Sequence, residues 1–210
     1  MKRYGILFLL CLSAGFTKAQ DMKTLFINIP DDYLPQLETA WRKDLIDLYQ
    51  SGKEARLKNT MEGTSRLLTL TEDYLLLQVT ERSSIELKKL PLINNTHIIC
   101  MISAIEAPAT HSLVRFYTTE WQPLESSGLF TPVTADWFIN EQSDINSEAY
   151  QDAIARLDIH LVKYSLSPDA QTLTAVYTTP RYLNEEERKK IRPFLKDHPK
   201  IYIWDKSYFR

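Results

Sequence analysis

A thiol beside an imidazole would make a nucleophile, so the cysteine and histidine side chains are the first candidates for chemistry. Cys100 follows His97 by three residues and lies inside the apolar run 98–102. Residues three apart on a β-strand point to opposite faces of the sheet, so this pair is not expected to form a dyad. We therefore predict that Cys100 is a small buried side chain of the core.

Metal ligands and acid–base pairs are sparse. The four histidines have neither an H-x-H nor an H-E-x-x-H spacing, so we predict no metal site. Asp158 and His160 would share one strand face, as an ion pair or as two ligands. Asp44 and Asp47 would share one helix face, but the adjacent basic pair 42–43 favours a solvated charged surface.

The glycine content excludes several enzyme classes. Two of the 5 glycines lie in the first 19 residues and the others are scattered. The sequence therefore has no P-loop, no dinucleotide fingerprint and no G-x-S-x-G elbow, and no cofactor is expected. A hydrolase site assembled from distant residues leaves no mark in a single sequence, so that alternative stays open.

Aromatic residues near the C-terminus give the more suggestive pattern. Ile201 and Ile203 alternate with Tyr202 and Trp204, and we expect the aliphatic pair to face the core. The two rings would then face outward, in line with Tyr208, where they could stack on a sugar or anchor a protein. These three aromatic residues are the predicted binding residues. The alternative is that a neighbouring helix covers them.

Residues 1–19 have the pattern of a secretory signal peptide. A basic pair at 2–3 precedes the apolar stretch 5–16, and small residues precede Gln20. The stretch is too short to span a membrane. A lipoprotein with a lipid on Cys11 is the alternative, but Cys11 follows a leucine and lies inside the apolar stretch. We expect a periplasmic or secreted protein without a transmembrane segment after cleavage.

Cleavage would leave 22 basic and 27 acidic residues, a net charge of −5, with Cys100 as the remaining cysteine. Such a chain has no intrachain disulfide and depends on its core for stability. The mild acidity is spread along the sequence, and we expect no basic patch. Neither nucleic acid nor anionic lipid is therefore an expected partner.

The elements that would position these residues fall into two groups. Residues 23–29 form a strand or an extended segment. A helix capped by Asp31 or Asp32 runs to Gly52, and a short helix follows at 53–59. Five strands with short polar links come next, a pattern that favours antiparallel neighbours. They are predicted at 66–70, 74–80, 85–90, 97–105 and 112–118.

The C-terminal half mixes short helices and strands. Helices are predicted near 134–156 and 185–196, a hairpin at 159–166 and 172–178, and a last strand at 200–204. Because the strands cluster and do not alternate with helices, we predict an α+β fold with a largely antiparallel sheet and an N-terminal helix. We expect one domain over residues 20–210, since no linker composition divides the chain.

Several segments together resemble a known family. The stretch FINIPDDYLP at 26–35 is followed by RKDLID at 42–47 and LTEDYL at 70–75, and then by Leu90-Pro91, Phe116-Tyr117 and Trp121. This set resembles a family of exported Bacteroidales proteins classed as a domain of unknown function. The resemblance covers roughly residues 25–121. It implies a location in a Gram-negative envelope and transfers no catalytic residues.

Three function classes follow from these observations. The first is a non-catalytic envelope protein that binds a protein or a glycan. The second is a hydrolase whose site the sequence does not reveal, and the third is an assembly factor for envelope components. A concave pocket with a histidine beside carboxylates would favour the enzyme, whereas an exposed aromatic patch would favour binding.

Overall fold

A computed structural model describes residues 20–210, and the predicted signal peptide with Cys11 lies outside the described residues. The described chain begins with helix α1 (Met22–Ile27), a 3-10 turn (Asp31–Tyr33) and helix α2 (Thr39–Gln50). Within residues 20–210, no helix is both long enough and apolar enough to cross a membrane.

Helix α1 replaces the extended segment that we predicted over residues 23–29. Asp21 caps the helix, because its Oδ1 accepts a hydrogen bond from the Thr24 N–H at 2.8 Å. The buried residues of this segment follow the i, i+3, i+4, i+7 spacing of one helix face. They are Met22, Leu25, Phe26 and Ile29. So short an apolar run fits a strand as well as a helix, and here the cap and the packing favour the helix.

Helix α2 begins later than predicted. The acidic pair 31–32 opens the 3-10 turn instead of capping α2. Leu34 precedes Pro35 and has φ −144° and ψ 64°, outside the helical region, as expected for a residue before proline. Gly52, at φ 70°, follows the helix end as predicted. The helix predicted at 53–59 is wrong, because residues 56–58 of that segment form a strand.

Seven antiparallel strands form the large sheet, and each pairs with its neighbour in sequence. The short polar links dictate this meander, as predicted. The strands are β1 (Arg56–Lys58), β2 (Thr64–Leu70), β3 (Tyr74–Thr80), β4 (Ser83–Pro91), β5 (His97–Glu106), β6 (Thr110–Thr118) and β7 (Pro123–Leu124). Strands β1 and β7 were not predicted, since each has three residues or fewer.

A small antiparallel sheet follows, with the order β10-β9-β8. Its strands are β8 (Val162–Leu166), β9 (Thr172–Tyr177) and β10 (Lys200–Ile203). The predicted C-terminal helices are confirmed as a 3-10 turn (Ala135–Phe138), α3 (Glu148–Ile154), α4 (Glu185–Ile191) and a 3-10 turn (Arg192–Phe194). Another 3-10 turn (Thr179–Tyr182) joins β9 to α4.

The fold is α+β with antiparallel sheets, as predicted. The large sheet has a core on each face, which makes three layers, an arrangement that we did not predict. On one face α1 and α2 pack against leucines and isoleucines, and we call this the helical core. On the other face the small sheet packs through many aromatic rings, and we call this the aromatic core. Strand β5 is buried on both faces: Ile99 and Met101 enter the helical core, whereas Ile98 and Cys100 enter the aromatic core.

Side-chain hydrogen bonds fix the small sheet on the large one. The Glu86 carboxylate, on β4, accepts a hydrogen bond from the Leu166 N–H at 2.7 Å. The Ser112 hydroxyl, on β6, accepts one from the Tyr164 N–H at 3.2 Å. Strand β8 lies at an edge of its sheet, and these bonds satisfy backbone groups that an edge strand would otherwise leave unpaired.

Candidate functional site

The orientation predicted for β10 is wrong. Tyr202 and Trp204 are 3% and 4% exposed, whereas Ile201 and Ile203 are 60% and 58% exposed. The rings fill the wide space between the two sheets, where Tyr202 packs on Phe130 with centroids 5.1 Å apart. The structure therefore removes the exposure on which we based the prediction that Tyr202 and Trp204 bind a partner.

Both rings are buried without leaving a polar atom unpaired, which makes their burial favourable. Trp204 Nε1 donates to the Pro91 carbonyl at 2.7 Å. The Tyr202 hydroxyl donates to the Thr131 carbonyl at 3.1 Å. Tyr208 is half-buried, and its hydroxyl donates to the Thr131 side chain. A ligand role for Tyr208 stays a prediction, and its ring is not part of an exposed aromatic row.

Cys100 is fully buried in the aromatic core, as predicted. Burial raises the pKa of its thiol well above the ordinary value, which disfavours the reactive thiolate. His97 lies three residues away on the same strand and therefore points to the opposite face. The two side chains do not form a dyad.

The paired acidic residues form no metal site. Within residues 20–210, no group of three or more metal-ligating side chains comes together. Asp158 and His160 precede β8 and do not share a strand face. Nε2 of His160 donates to the Val133 carbonyl at 2.9 Å instead. Asp44 and Asp47 are exposed, as predicted for a solvated surface.

Arg42 differs from this prediction because it is fully buried. Its guanidinium donates hydrogen bonds to the Ile29 carbonyl and to the Asp31 carboxylate. It also donates to the Thr39 hydroxyl, at 3.1 Å. Lys43, the next residue, is exposed. Arg42 therefore ties α2 to the end of α1 and is not part of the charged surface.

One concave pocket contains His97. It has a volume of about 890 Å³ and lies at the end of the large sheet, beside the β4–β5 and β6–β7 turns. Its polar residues include Lys89, His97, Glu120 and Glu125. Burial, and secondly the charge of Lys89, lowers the pKa of His97 and favours the neutral imidazole. In the described chain, no hydrogen bond joins His97 to either glutamate, and the Glu120 carboxylate accepts from the Thr119 hydroxyl at 2.8 Å.

A second concavity, of about 830 Å³, lies where the small sheet meets α4, and we call it the cationic groove. The end of β9, the start of the 3-10 turn after it, α4 and the segment 192–199 form its walls. Its apolar surface includes Phe138, Val176, Pro180, Ile191 and Leu195. Phe138 and Ile191 are buried below the groove, and Tyr177 stacks on Phe138 with centroids 4.9 Å apart.

Basic side chains line this apolar surface. They are Arg188, Lys189, Arg192 and Lys196. Lys189 pairs with Glu185 and Lys196 pairs with Glu141, both at 2.8 Å. Arg188 and Arg192 are exposed and form no ion pair with any residue of the described chain.

The local sequence explains why these charges meet. The capping box between Asn184 and Glu187 fixes the start of α4. Arg188 in α4 and Arg192 at the start of the 3-10 turn are four residues apart, and both line the groove. Residues 188–200 contain six basic residues and one acidic residue. The expectation of no basic patch is therefore wrong, because we averaged the charge along the chain and overlooked this segment.

Comparisons with known proteins place the chain in a family without an established function. A family model described as "Protein of unknown function (DUF3256)" matches residues 15–209. A solved structure titled as a domain of an uncharacterized protein from Porphyromonas gingivalis W83 is similar, with a TM-score of 0.82 and 27% sequence identity. The match covers 91% of this chain and 99% of that chain. No curated protein matches the chain. The resemblance to a Bacteroidales family of unknown function is thereby confirmed.

Proposed function

We propose that this chain, which belongs to the DUF3256 family, is a non-catalytic binding protein of the bacterial envelope. We propose also that its partner carries negative charge. The observation that carries this proposal is the cationic groove. It combines an apolar surface with four basic side chains on a protein that is acidic as a whole.

The groove has the features that binding requires. Apolar walls provide affinity by removing hydrophobic surface from water, and a few charged groups orient the ligand. The guanidinium groups of Arg188 and Arg192 have no ionic partner in the described chain, so a bound phosphate, sulfate or carboxylate would not have to displace one.

Charge reversal tests the groove. Binding of labelled dextran sulfate, labelled polyglutamate and phosphatidylglycerol vesicles is measured at low salt. We expect Arg188→Glu with Arg192→Glu to weaken binding of at least one probe by more than about tenfold. Lys43→Glu with Arg66→Glu is the matched control, because both residues are exposed and lie outside the groove. If no probe binds, or if both double variants lose binding equally, the proposal fails.

Envelope location is the second part of the proposal, and the signal-peptide pattern of residues 1–19 supports it. N-terminal sequencing of the protein from an envelope fraction should find Gln20 as the first residue. A cytoplasmic protein that begins at Met1 would refute export. Labelling with radioactive palmitate separates the lipoprotein alternative, since incorporation at Cys11 would support it.

A hydrolase at the His97 pocket is a second candidate function. The neutral imidazole that the lowered pKa favours could serve as a general base, with Glu120 and Glu125 lining the same pocket. Screening of ester, peptide and glycoside substrates tests it. Activity that His97→Gln abolishes at unchanged melting temperature would favour the enzyme over the binding protein. Activity that survives in His97→Gln would exclude this pocket.

A further inference from the structure

We infer that the cationic groove and the outward face of the small sheet form one continuous surface that docks on an anionic lipid bilayer. This inference rests on the proposed function and names the source of the negative charge, which is the phosphate of a lipid headgroup. The juxtaposition of two exposed isoleucines with the basic rim of the groove carries it.

The outward face of the small sheet is defined by the residues opposite the aromatic core. Alternation along β10 turns Ile201 and Ile203 outward, because Tyr202 between them is buried. In the antiparallel register Ile201 lies opposite Thr174 and Ile203 opposite Thr172. The face therefore presents two large aliphatic side chains beside small hydroxyl residues, with no charged group between them.

The outward face of the small sheet is continuous with the cationic groove. Val176 lines the groove and belongs to the same face of β9 as Thr174 and Thr172, two and four residues away. Ile201 is a diagonal neighbour of Val176, and such pairs on adjacent strands lie about 7–8 Å apart. Pro199, two residues before Ile201, also lines the groove. An apolar strip therefore extends from the groove to Ile203.

Basic side chains flank this strip. Arg188, Arg192 and Lys196 line the groove at one end of it. Lys163 is half-buried and lies opposite Val176 in the β8–β9 register, on the same outward face. Asp197 is the acidic residue among those that line the groove, and His198 follows it. This arrangement places positive charge where lipid phosphates would lie if the isoleucines entered the apolar boundary of a bilayer.

The composition favours a lipid surface over a protein partner. Lysine is depleted at protein interfaces, whereas a surface of anionic lipids attracts it. Tyr202 in β10 and Trp204 just after it are buried, so they give this surface no aromatic anchor. Apolar residues flanked by lysine and arginine bind the membrane interface in amphipathic helices, and this sheet face presents the same combination.

Vesicle sedimentation of the purified protein tests the inference. We expect the protein to sediment with vesicles of phosphatidylethanolamine and phosphatidylglycerol, and to stay in solution with phosphatidylcholine vesicles. Raising the salt from about 0.1 M to about 1 M shortens the Debye length from about 10 Å to about 3 Å and should release the protein. Absence of sedimentation with the anionic vesicles at low salt would overturn the inference.

Paired substitutions assign the binding to this surface. Arg188→Gln with Arg192→Gln should weaken vesicle binding by about 25-fold, about fivefold for each basic residue near an anionic bilayer. Ile201→Ser with Ile203→Ser should weaken it by at least about tenfold. Ile93→Ser is the matched control, because Ile93 is 76% exposed on the β4–β5 turn of the large sheet. Equal loss in the control would contradict the assignment.

A fluorescent label reports contact without relying on the loss of binding. Cys100 is buried, so a cysteine introduced as Ile201→Cys is the site that an environment-sensitive dye should label in the folded protein. The dye should shift to the blue with anionic vesicles, whereas a dye at Ile93→Cys should not. A shift at Ile93 with none at Ile201 would overturn the inference.

The probes also separate this inference from the proposed function. If dextran sulfate or polyglutamate binds through Arg188 and Arg192 while anionic vesicles do not bind, the lipid inference is wrong and the proposed function stands. If neither these polymers nor the vesicles bind, both are wrong.

Discussion

The two faces of the large sheet are covered in different ways. The helical core consists largely of leucine and isoleucine, and α1 and α2 lie directly on it. The aromatic core has rings that meet edge to face, for example Phe130 on Tyr164 and on Phe209. Buried polar groups cross it, including Glu86 and Ser112. The two faces of one sheet thus depend on different kinds of interaction.

This difference indicates how each layer is positioned. Aliphatic packing is non-directional, so many arrangements of a helix on a sheet bury similar area. Hydrogen bonds and ring edges are directional and fix one position of the small sheet. The buried Lys88 ammonium illustrates this, since it contacts the Asp73 carboxylate and the Pro168 carbonyl, each at 2.9 Å. The surface that we propose to bind lipid belongs to the layer that is positioned by directional bonds.

The largest effect is expected at Trp204, just after β10. Trp204→Ala should lower the free energy of unfolding by about 3–5 kcal/mol, because it removes a buried ring from the aromatic core. Ile203→Ala, one residue away and exposed, should change it by less than about 0.5 kcal/mol. Urea denaturation of both variants measures the difference. Equal effects would show that the strand does not have the orientation described.

Arg42→Met tests whether the helical core also depends on a directional contact. The substitution keeps the aliphatic stem but leaves the Ile29 carbonyl without its guanidinium donor. We expect a loss of about 1–3 kcal/mol, the cost of an unsatisfied buried group. Lys43→Met is the matched control on the exposed side of α2 and should have little effect. If Arg42→Met is neutral, packing alone positions α2.

Glu86→Gln should change the pH dependence of stability. Burial raises the pKa of the Glu86 carboxyl in the folded state above its ordinary value of 4.5, against the hydrogen bonds that it accepts. Because the folded state holds this proton more tightly than the unfolded state, protonation of Glu86 stabilises the fold. This contribution to the free energy of unfolding is fully present below the unfolded pKa and is lost as the pH rises through the folded pKa. The variant should therefore be more stable than the wild type at pH 8, with the difference vanishing near pH 4.

Thermal unfolding across this pH range measures the effect of Glu86→Gln. Glu106→Gln is the control, because Glu106 is exposed at the end of β5. If the wild type and Glu86→Gln keep a constant difference at every pH, the buried carboxyl does not titrate as described.

The smallest effect concerns Cys100. The buried thiol with a raised pKa should react with a thiol reagent only after denaturant is added. Cys100→Ala should lower the free energy of unfolding by about 1 kcal/mol, because the cavity is small. Rapid labelling of the native protein would contradict the burial of this strand.

The longer strands of the large sheet could be predicted from the sequence, because each has an apolar pattern bounded by short polar links. Strand β3 (Tyr74–Thr80) has the predicted bounds, and the run 98–102 is buried on both faces, as its uninterrupted apolar character indicated. Such features are local, so they need no knowledge of the neighbouring strands.

Two features could not be predicted, because they depend on contacts with residues that are distant in the sequence. Alternation over residues 201–204 places the two isoleucines on one face and the two aromatic residues on the other. It does not show which pair faces the core. The rings are inside because Pro91 and Thr131, far away in sequence, accept their hydrogen bonds. The cationic groove combines Phe138 with residues of β9 and α4, a combination that no spacing in the sequence reveals.

The order in which the layers form in time follows from these long-range bonds. The large sheet pairs strands that are adjacent in sequence, so each pairing closes a short loop of chain. The bonds that hold the small sheet join residues 71, 80 and 113 positions apart: Tyr202 to Thr131, Leu166 to Glu86, and Trp204 to Pro91. Contacts of such separation form slowly, so we expect the meander to fold first and the small sheet to dock last. In native-state hydrogen exchange, the amides of β9 should then open at a lower free energy than those of β5, so the layer that carries the proposed membrane surface would also be the first to detach.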